Sequence, residues 1–224
     1  NILLHKTTNN DYSVYDNCYG TGGIFDSIAE YNNKVSSVLY YGQEVNNKLF
    51  DYYKSKNNGD NYILENTNSI ANNSFSDVRF DYLINNPPIN LRIPKDDIEN
   101  YLEKNQSIIE NITRGEYIFL LDLINKSKKD SRIISIVVGN FLYSASKEIS
   151  SLRQYLIKND MLESVIRCPE GALPGTSMPF YILVIDKNKD KALKNKIQLF
   201  SAGKYFPKNE TTDTENKIYK ELEM

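Results

Sequence analysis

Residues 14–25 read Val-Tyr-Asp-Asn-Cys-Tyr-Gly-Thr-Gly-Gly-Ile-Phe: a β-rich run ends at Asp16 and meets Gly20, Gly22 and Gly23 before a helix-forming stretch opens. That order constrains the chain more than any other segment. Glycines tolerate the positive φ angles of a tight turn and let the backbone approach a ligand closely, and the free amides of a helix start can meet the ligand's polar groups. The spacing is neither the G-x-G-x-x-G dinucleotide fingerprint nor a P-loop with its Lys-Ser/Thr pair, so the turn is a candidate ligand site of another kind.

The rest of the chain repeats the alternation. Short β-rich runs at residues 13–16, 38–41, 62–64, 82–85, 132–138, 163–168, 180–186 and 197–200 are separated by helical stretches after Gly23 and at residues 45–56, 115–128 and 147–158. The polar segment 92–111 receives no assignment. Alternating strands and helices imply an α/β domain, a mostly parallel sheet with helices on both faces. The connection 169–179 is rich in Pro and Gly and too short for a crossover helix, so the sheet is expected to end in an antiparallel hairpin. Residues 207–224 read as a charged tail poor in apolar side chains, which leaves 1–206 as the folded domain.

With 224 residues, 40% of them hydrophobic, the chain can close one substantial core but not two. Lys and Arg total 27 against 29 for Asp and Glu. No overall basic field is available to hold a polyanion, and a partner is expected to supply much of any grip on phosphates. The basic run 187–196 reads as a solvated connection. His5 is the sole histidine, and Cys18 and Cys168 stand far apart. Neither a zinc site nor a Ser-His-Asp machine can be assembled from them, no metal is expected, and both thiols are expected to be free and buried. No apolar run reaches the ~20 residues of a membrane span, and the chain opens on Asn1-Ile2-Leu3-Leu4 with no charged leader. A cytoplasmic protein without a membrane partner is expected, and the abrupt entry into a strand suggests a piece of a longer chain that lacks an N-terminal helical region.

Two further segments fall where strands end. Gly42-Gln43-Glu44 follows the second run, where doubly wound folds present a carboxylate to ribose hydroxyls. Taken alone, Glu44 reads first as an acid favoured at a helix start and second as a ligand. Residues 81–89, Asp-Tyr-Leu-Ile-Asn-Asn-Pro-Pro-Ile, are an apolar strand ending in Asn86-Pro87-Pro88. Consecutive prolines fix the backbone and remove its donors, leaving carbonyls and the Asn amide facing outward. Alone this is a turn; at the ends of strands one, two and four, the three segments outline one site.

These residues resemble the DNA adenine methyltransferases, and among them the modification subunits of type I restriction systems. The family's Asp-Pro-Ala-Cys-Gly-Thr-Gly-Gly is matched at Asp16, Gly20, Thr21, Gly22 and Gly23, while Asn17, Cys18 and Tyr19 depart from it. Its Tyr-Gly-Gln-Glu is Tyr41-Gly42-Gln43-Glu44 here, and the similarity continues through residues 131–166 to Cys168-Pro169-Glu170, Gly175-Thr176-Ser177-Met178-Pro179 and Ile182-Leu183-Val184-Ile185. It implies a Rossmann-like S-adenosylmethionine-dependent methyltransferase fold with S-adenosyl-L-methionine as cofactor. The implied reaction is methyl transfer to the exocyclic amino nitrogen of adenine in DNA, with a DNA-specificity subunit and a restriction subunit as partners.

Residue by residue, the resemblance implies that Asp16, Gly20, Thr21, Gly22 and Gly23 hold the cofactor and that Glu44 accepts from its ribose hydroxyls. Asn66, with Thr67 and Asn68 as alternatives, would meet the cofactor's adenine ring. Asn86, which also borders the cofactor, and the Pro87 carbonyl would accept both hydrogens of the target amino group and draw its lone pair out of conjugation, with Pro88 and Ile89 completing the catalytic segment. The target base must leave the duplex to reach such a pocket. The family places an aromatic residue after Pro-Pro and another in the final hairpin; Ile89 and Leu173 stand there instead. Those replacements, with the altered Asn17-Cys18-Tyr19 loop, keep open a methyltransferase-like assembly subunit without catalysis; and because Asn-Pro-Pro with an aromatic also serves planar amide nitrogens, a methyltransferase acting on a protein amide or on RNA stays open as well.

Overall fold

In the computed structural model, described at residues 11–31, 37–105, 109, 112, 114–172 and 179–203, eight strands form one sheet. They are β1 (Asp11–Asp16), β2 (Ser37–Gln43), β3 (Tyr62–Glu65), β4 (Phe80–Asn85), β5 (Ser127–Val138), β6 (Leu162–Arg167), β7 (Phe180–Asp186) and β8 (Gln198–Ser201). The helices between them are α1 (Gly23–Tyr31), α2 (Asn47–Lys56), α3 (Lys95–Lys104), α4 (Gly115–Lys126), α5 (Asn140–Tyr143) and α6 (Lys147–Lys158). The order across the sheet is β3-β2-β1-β4-β5-β7-β6-β8. β7 runs antiparallel to β5 and β6, and the remaining neighbours are parallel. The expected hairpin is therefore present, with its second strand inserted beside β5. Strand order reverses between β1 and β4, which opens a crevice at their carboxyl ends.

Side-chain alternation along the strands assigns the two faces. Val14 and Ile134 pack with Phe25 and Ile28 of α1 and Tyr53 of α2 on one face. Their sequence neighbours Tyr15 and Ile133 pack on the other with Ile98 and Tyr101 of α3, the apolar residues of α4, and Ile149, Leu152 and Leu156 of α6. α2 starts where the Asn46 side chain accepts from Lys48 N at 3.0 Å. α4 is buried almost all round, including Glu116, Asp122 and Lys126, so its polar groups need partners inside the protein.

Several expectations shift. The helix expected to reach residue 128 stops at Lys126, and β5 starts at Ser127 rather than residue 132. Pairing of Ser127 with Phe80, and of the Lys128 ammonium with Asp81 at 2.8 Å, overrides the local helix preference. The unassigned segment contains α3, whose apolar face is chiefly Ile98 and Tyr101. α2 begins at Asn47, so Glu44 lies outside its first turn and is not a helix-start acid. The basic run is not simply solvated: Lys189 is buried and donates to Asp160 Oδ1 (2.6 Å) and Lys196 O (2.8 Å), while Lys187 donates to Ser127 Oγ (2.7 Å). Both cysteines are free, but only Cys168 is fully buried. His5, Leu173 and the tail 207–224 lie outside the described residues.

Asp122, at the middle of α4, is fully buried. Its Oδ2 accepts from Asn17 Nδ2 (2.9 Å) and Lys126 Nζ (3.2 Å), and its Oδ1 from Asn73 Nδ2 (3.1 Å) and the Tyr101 hydroxyl (3.1 Å). Asp122→Ala leaves these donors, one of them an ammonium, without their shared acceptor. A loss of about 3–5 kcal/mol is expected, read in urea unfolding as a lower midpoint at unchanged slope.

Candidate functional site

The carboxyl ends of β1 to β4 bring the glycine turn, Glu44, Asn66 and the Asn-Pro-Pro segment into one crevice. Parallel register sets Asp16 level with Gly42, and Gln43 level with Glu65. Beyond Asp16 the chain turns through Gly20 (φ 58°) and Gly22 (φ 77°), which glycine adopts without strain. A Cβ on Gly22 would stand 2.0 Å from the Tyr53 ring, whereas one on Gly20 or Gly23 would meet nothing within 4 Å. The turn is thus packed beneath and open above, with Thr21 exposed. The bulky Tyr19 does not intrude on the open side. It is buried against Phe25 and Tyr53, in space that exists because residue 42 is glycine: a Cβ there would come within 2.5 Å of the Tyr19 ring.

Glu44 is buried, its Oε2 accepting from Gly20 N (3.0 Å) and its Oε1 from Asn46 N (2.8 Å). Each oxygen retains a lone pair for a hydroxyl donor. Asp16 is 1% exposed; its Oδ1 accepts from Cys18 N (2.9 Å), but its Oδ2 has no partner among the described residues. Burial, partly offset by the Cys18 amide and the Cys18 side chain and reinforced by the nearby Glu44 charge, pushes the Asp16 carboxyl up to about 7. A buried carboxylate oxygen without a donor is costly. A cationic ligand group in the crevice would relieve it.

Asn66 holds the scaffold together: its Nδ2 donates to Glu44 O at 2.7 Å, which leaves its side-chain oxygen for a ligand. Thr67 accepts from Gln43 Nε2 (2.7 Å), and Asn68 Oδ1 accepts from Ile70 N (3.0 Å). On the other side of Asp16, Asn86 and Pro88 are exposed, Pro87 is buried and Ile89 is half-buried. Asn86, Pro87 and Ile89 line a small cavity together with Glu116 of α4, Val138 of β5 and Phe180 of β7.

The Asn-Pro-Pro segment is anchored from below by residues that the sequence reading did not single out. Asn85, fully buried, donates to Asn17 Oδ1 (3.1 Å) and accepts from Ser135 Oγ (2.7 Å). Asn17 in turn donates to Phe119 O (2.9 Å) and to Asp122. Burial, followed by the Asp16 and Glu44 charges, pushes the Cys18 thiol well up, with the nearby Asn86 backbone working against the rise. Of the three departures in the glycine turn, Asn17 is therefore hydrogen-bonded to the neighbouring segment. The available sequence signal was Asp122, an acid within the apolar run of α4.

The strand order, the antiparallel seventh strand and the crevice at the order reversal define the fold of the S-adenosylmethionine-dependent methyltransferases. A type I restriction-modification system methyltransferase subunit from Streptococcus thermophilus matches with a TM-score of 0.80 at 19% identity, over 96% of this chain and 49% of that one. A protein named as a class I S-adenosylmethionine-dependent methyltransferase from Listeria monocytogenes matches with a TM-score of 0.71 at 15% identity, over 99% of this chain and 66% of that one. The N-6 DNA Methylase family model matches residues 1–224, and the chain belongs to that family. A curated relative, the MjaIX methylase subunit of a type I restriction enzyme from Methanocaldococcus jannaschii, is 24% identical over 207 residues, 85% of this chain and 36% of the relative. The chain thus spans little more than a third of that relative's length. Among the described residues, no helix is long and apolar enough to cross a membrane.

Asp16 makes stability depend on pH in a direction opposite to that of a salt-bridged acid. Unfolded, it ionises at about pH 4; folded, it keeps its proton up to about pH 7. The stability held by the neutral carboxyl is present in full below the unfolded value and lost as pH rises through the folded one. Relative to Asp16→Asn, the native protein is expected to lose up to roughly 4 kcal/mol between pH 4 and pH 8. Urea unfolding across that range checks this, and a pH-independent difference would contradict it.

Proposed function

We propose that the chain is the S-adenosylmethionine-binding catalytic part of a type I modification subunit that methylates the exocyclic amino nitrogen of adenine in DNA. The observation that carries this reading is the buried Asp16 Oδ2, unpartnered among the described residues, beside Glu44 and the open glycine turn and adjacent to the strand that leads into Asn86. These groups fit a ligand with an ammonium group and a ribose. Asp16 would take the ammonium, Glu44 the ribose hydroxyls, Gly20, Thr21, Gly22 and Gly23 a close backbone approach, and Asn66 an adenine amino group. When bound, S-adenosylmethionine supplies a methyl group on a positively charged sulfur.

The remaining requirements fall on the chain's own residues. An adenine amino nitrogen is a weak nucleophile because its lone pair is delocalised into the ring. Asn86 Oδ1 and the Pro87 carbonyl, accepting one hydrogen each, hold that nitrogen in a geometry that frees the lone pair, and fixed acceptors need no reorganisation as the bond forms. Pro87 and Pro88 lack N–H groups that could compete. Asn85, locked by Asn17 and Ser135, holds the strand end from which the segment leaves. Ile89 offers apolar contact to a base that has left the duplex.

The curated relative is named as a methylase subunit, and the 27 basic residues here do not outnumber the 29 acidic ones. The proposed partners are accordingly DNA with a flipped adenine, a DNA-specificity subunit that selects the site, and a restriction subunit. Calorimetric titration of S-adenosylmethionine is expected to show binding that Glu44→Ala weakens by about tenfold or more. Asn86→Ala should lower DNA methylation by roughly 100-fold or more, a far larger effect than its effect on cofactor affinity. Cofactor binding with no methyl transfer by the complete native complex would favour the assembly-subunit reading. Transfer confined to protein or RNA would overturn DNA as the substrate.

A further inference from the structure

Glu116, in the first turn of α4, is 3% exposed, and neither of its carboxyl oxygens has a hydrogen-bond partner among the described residues. Asp122 on the same helix shows what a buried acid requires for stability, since five side chains are placed to donate to it there. Among the described residues Glu116 has no such set. A helix-start acid gains from the dipole while remaining in water and has no need of burial. An apolar residue of similar size would avoid the desolvation cost altogether. What Glu116 does have is a place on the wall of the cavity formed by Asn86, Pro87, Ile89, Val138 and Phe180. It is the only ionisable side chain among the residues lining that cavity.

We propose that Glu116 reads the target base, its carboxyl placed to hydrogen-bond a ring nitrogen of the adenine whose amino group is held by Asn86 and Pro87. The inference rests on the adenine-methylation reading above and deepens it. Adenine's amino group is flanked by N1 and N7, both acceptors. Two protein acceptors that take the amino hydrogens are therefore complemented by one donor alongside, the pattern by which a base edge is recognised. A protonated carboxyl supplies that donor in a cavity otherwise walled by apolar groups and the Asn86 amide. Burial raises the Glu116 carboxyl above the ordinary range, with its own backbone amide and Arg114 working against the rise and Glu148 adding to it. Arg114 lies 3.8 Å from Glu148, and the neighbouring Tyr117 also feels the Glu116 charge.

The test uses the full-length protein with its partner subunits, and a target site found by mapping methylated adenines in DNA that the complex has modified. Duplexes carrying adenine, 1-deazaadenine or 7-deazaadenine at that position are titrated in the presence of S-adenosylhomocysteine. One deaza replacement is expected to weaken binding by the native protein roughly tenfold or more and to make no difference to E116L. The preference for adenine should fade as pH rises through the raised Glu116 value, and E116Q, which keeps an N–H donor, should show no such dependence. E116L is expected to melt no lower than the native protein, because it removes an unpaired buried acid. A lower melting temperature, or deaza penalties that survive intact in E116L, would overturn the proposal while leaving adenine methylation standing. A native complex that methylates no DNA overturns both, and does so before any variant is made.

Discussion

The buried carboxylate of Asp122 is the interaction on which the rest of the site depends. Its donors come from the end of β1, the loop before β4, α3 and α4 itself. In a low-dielectric interior such a group must be fully met, and once met it fixes its partners rigidly. Asn17 carries the constraint onward, giving its amide hydrogens to Asp122 and Phe119 O and its oxygen to Asn85. α4 thus holds the end of β1, the end of β1 holds the end of β4, and the end of β4 carries Asn86. A second branch runs through the Tyr15 hydroxyl to Gln43 Oε1 (2.9 Å) and from Gln43 to Thr67, fixing the ends of β2 and β3. Both sides of the crevice hang from one polar network.

The buried acids divide into two groups by what meets them. Asp122 is saturated, and Glu163 and Asp186 share the Arg132 guanidinium, at 2.7 Å in the case of Asp186. Asp16 and Glu116 are the buried acids with an unpaired oxygen among the described residues, and both lie at the crevice or the adjoining cavity. The other unpaired buried atoms belong to hydroxyls, of Tyr12, Tyr19, Tyr117 and Ser131, which carry no charge and cost less to leave unmet. Asp122, Glu163 and Asp186 are met within the fold, whereas the unpaired oxygens of Asp16 and Glu116 are where the proposed ligands would be met.

Local signals in the sequence were enough to outline the fold. Glycines at 20, 22 and 23 and prolines at 87 and 88 punctuate β-rich runs, so strand ends and the gathering of Asp16, Glu44 and Asn86 at one edge of the sheet could be read without long-range information. What could not be read depended on partners far away in sequence. Polar residues at the start of β5 form strand because Phe80 and Asp81 lie opposite them. Lys189 is buried because Asp160 waits for it. Tyr19 fits because Gly42 and Tyr53 leave room beneath the turn. The Asp122 network joins positions separated by as many as 111 residues, for which periodicity offers no clue.

The departures from the family pattern also make sense together. Where the family has Pro-Ala-Cys, this chain has Asn17, which ties the glycine turn to Asn85; Cys18, whose thiol lies near the Asn86 backbone; and Tyr19, which packs the turn from below. The substitutions couple the cofactor side of the crevice to the Asn-Pro-Pro segment more directly than a proline could, since proline has no side-chain donor or acceptor. At Ile89 the change runs the other way. An aromatic stack on a flipped base is worth roughly 1–3 kcal/mol, and an aliphatic side chain recovers contact but no π-face. If a flipped base is held here, as proposed, weaker contact over its face places more of its binding on the polar groups at its edge. On the proposed reading, rigidity below and weaker stacking above would be complementary: the network through Asn17 and Asn85 fixes the strand end from which the two proposed acceptors, Asn86 and Pro87, leave.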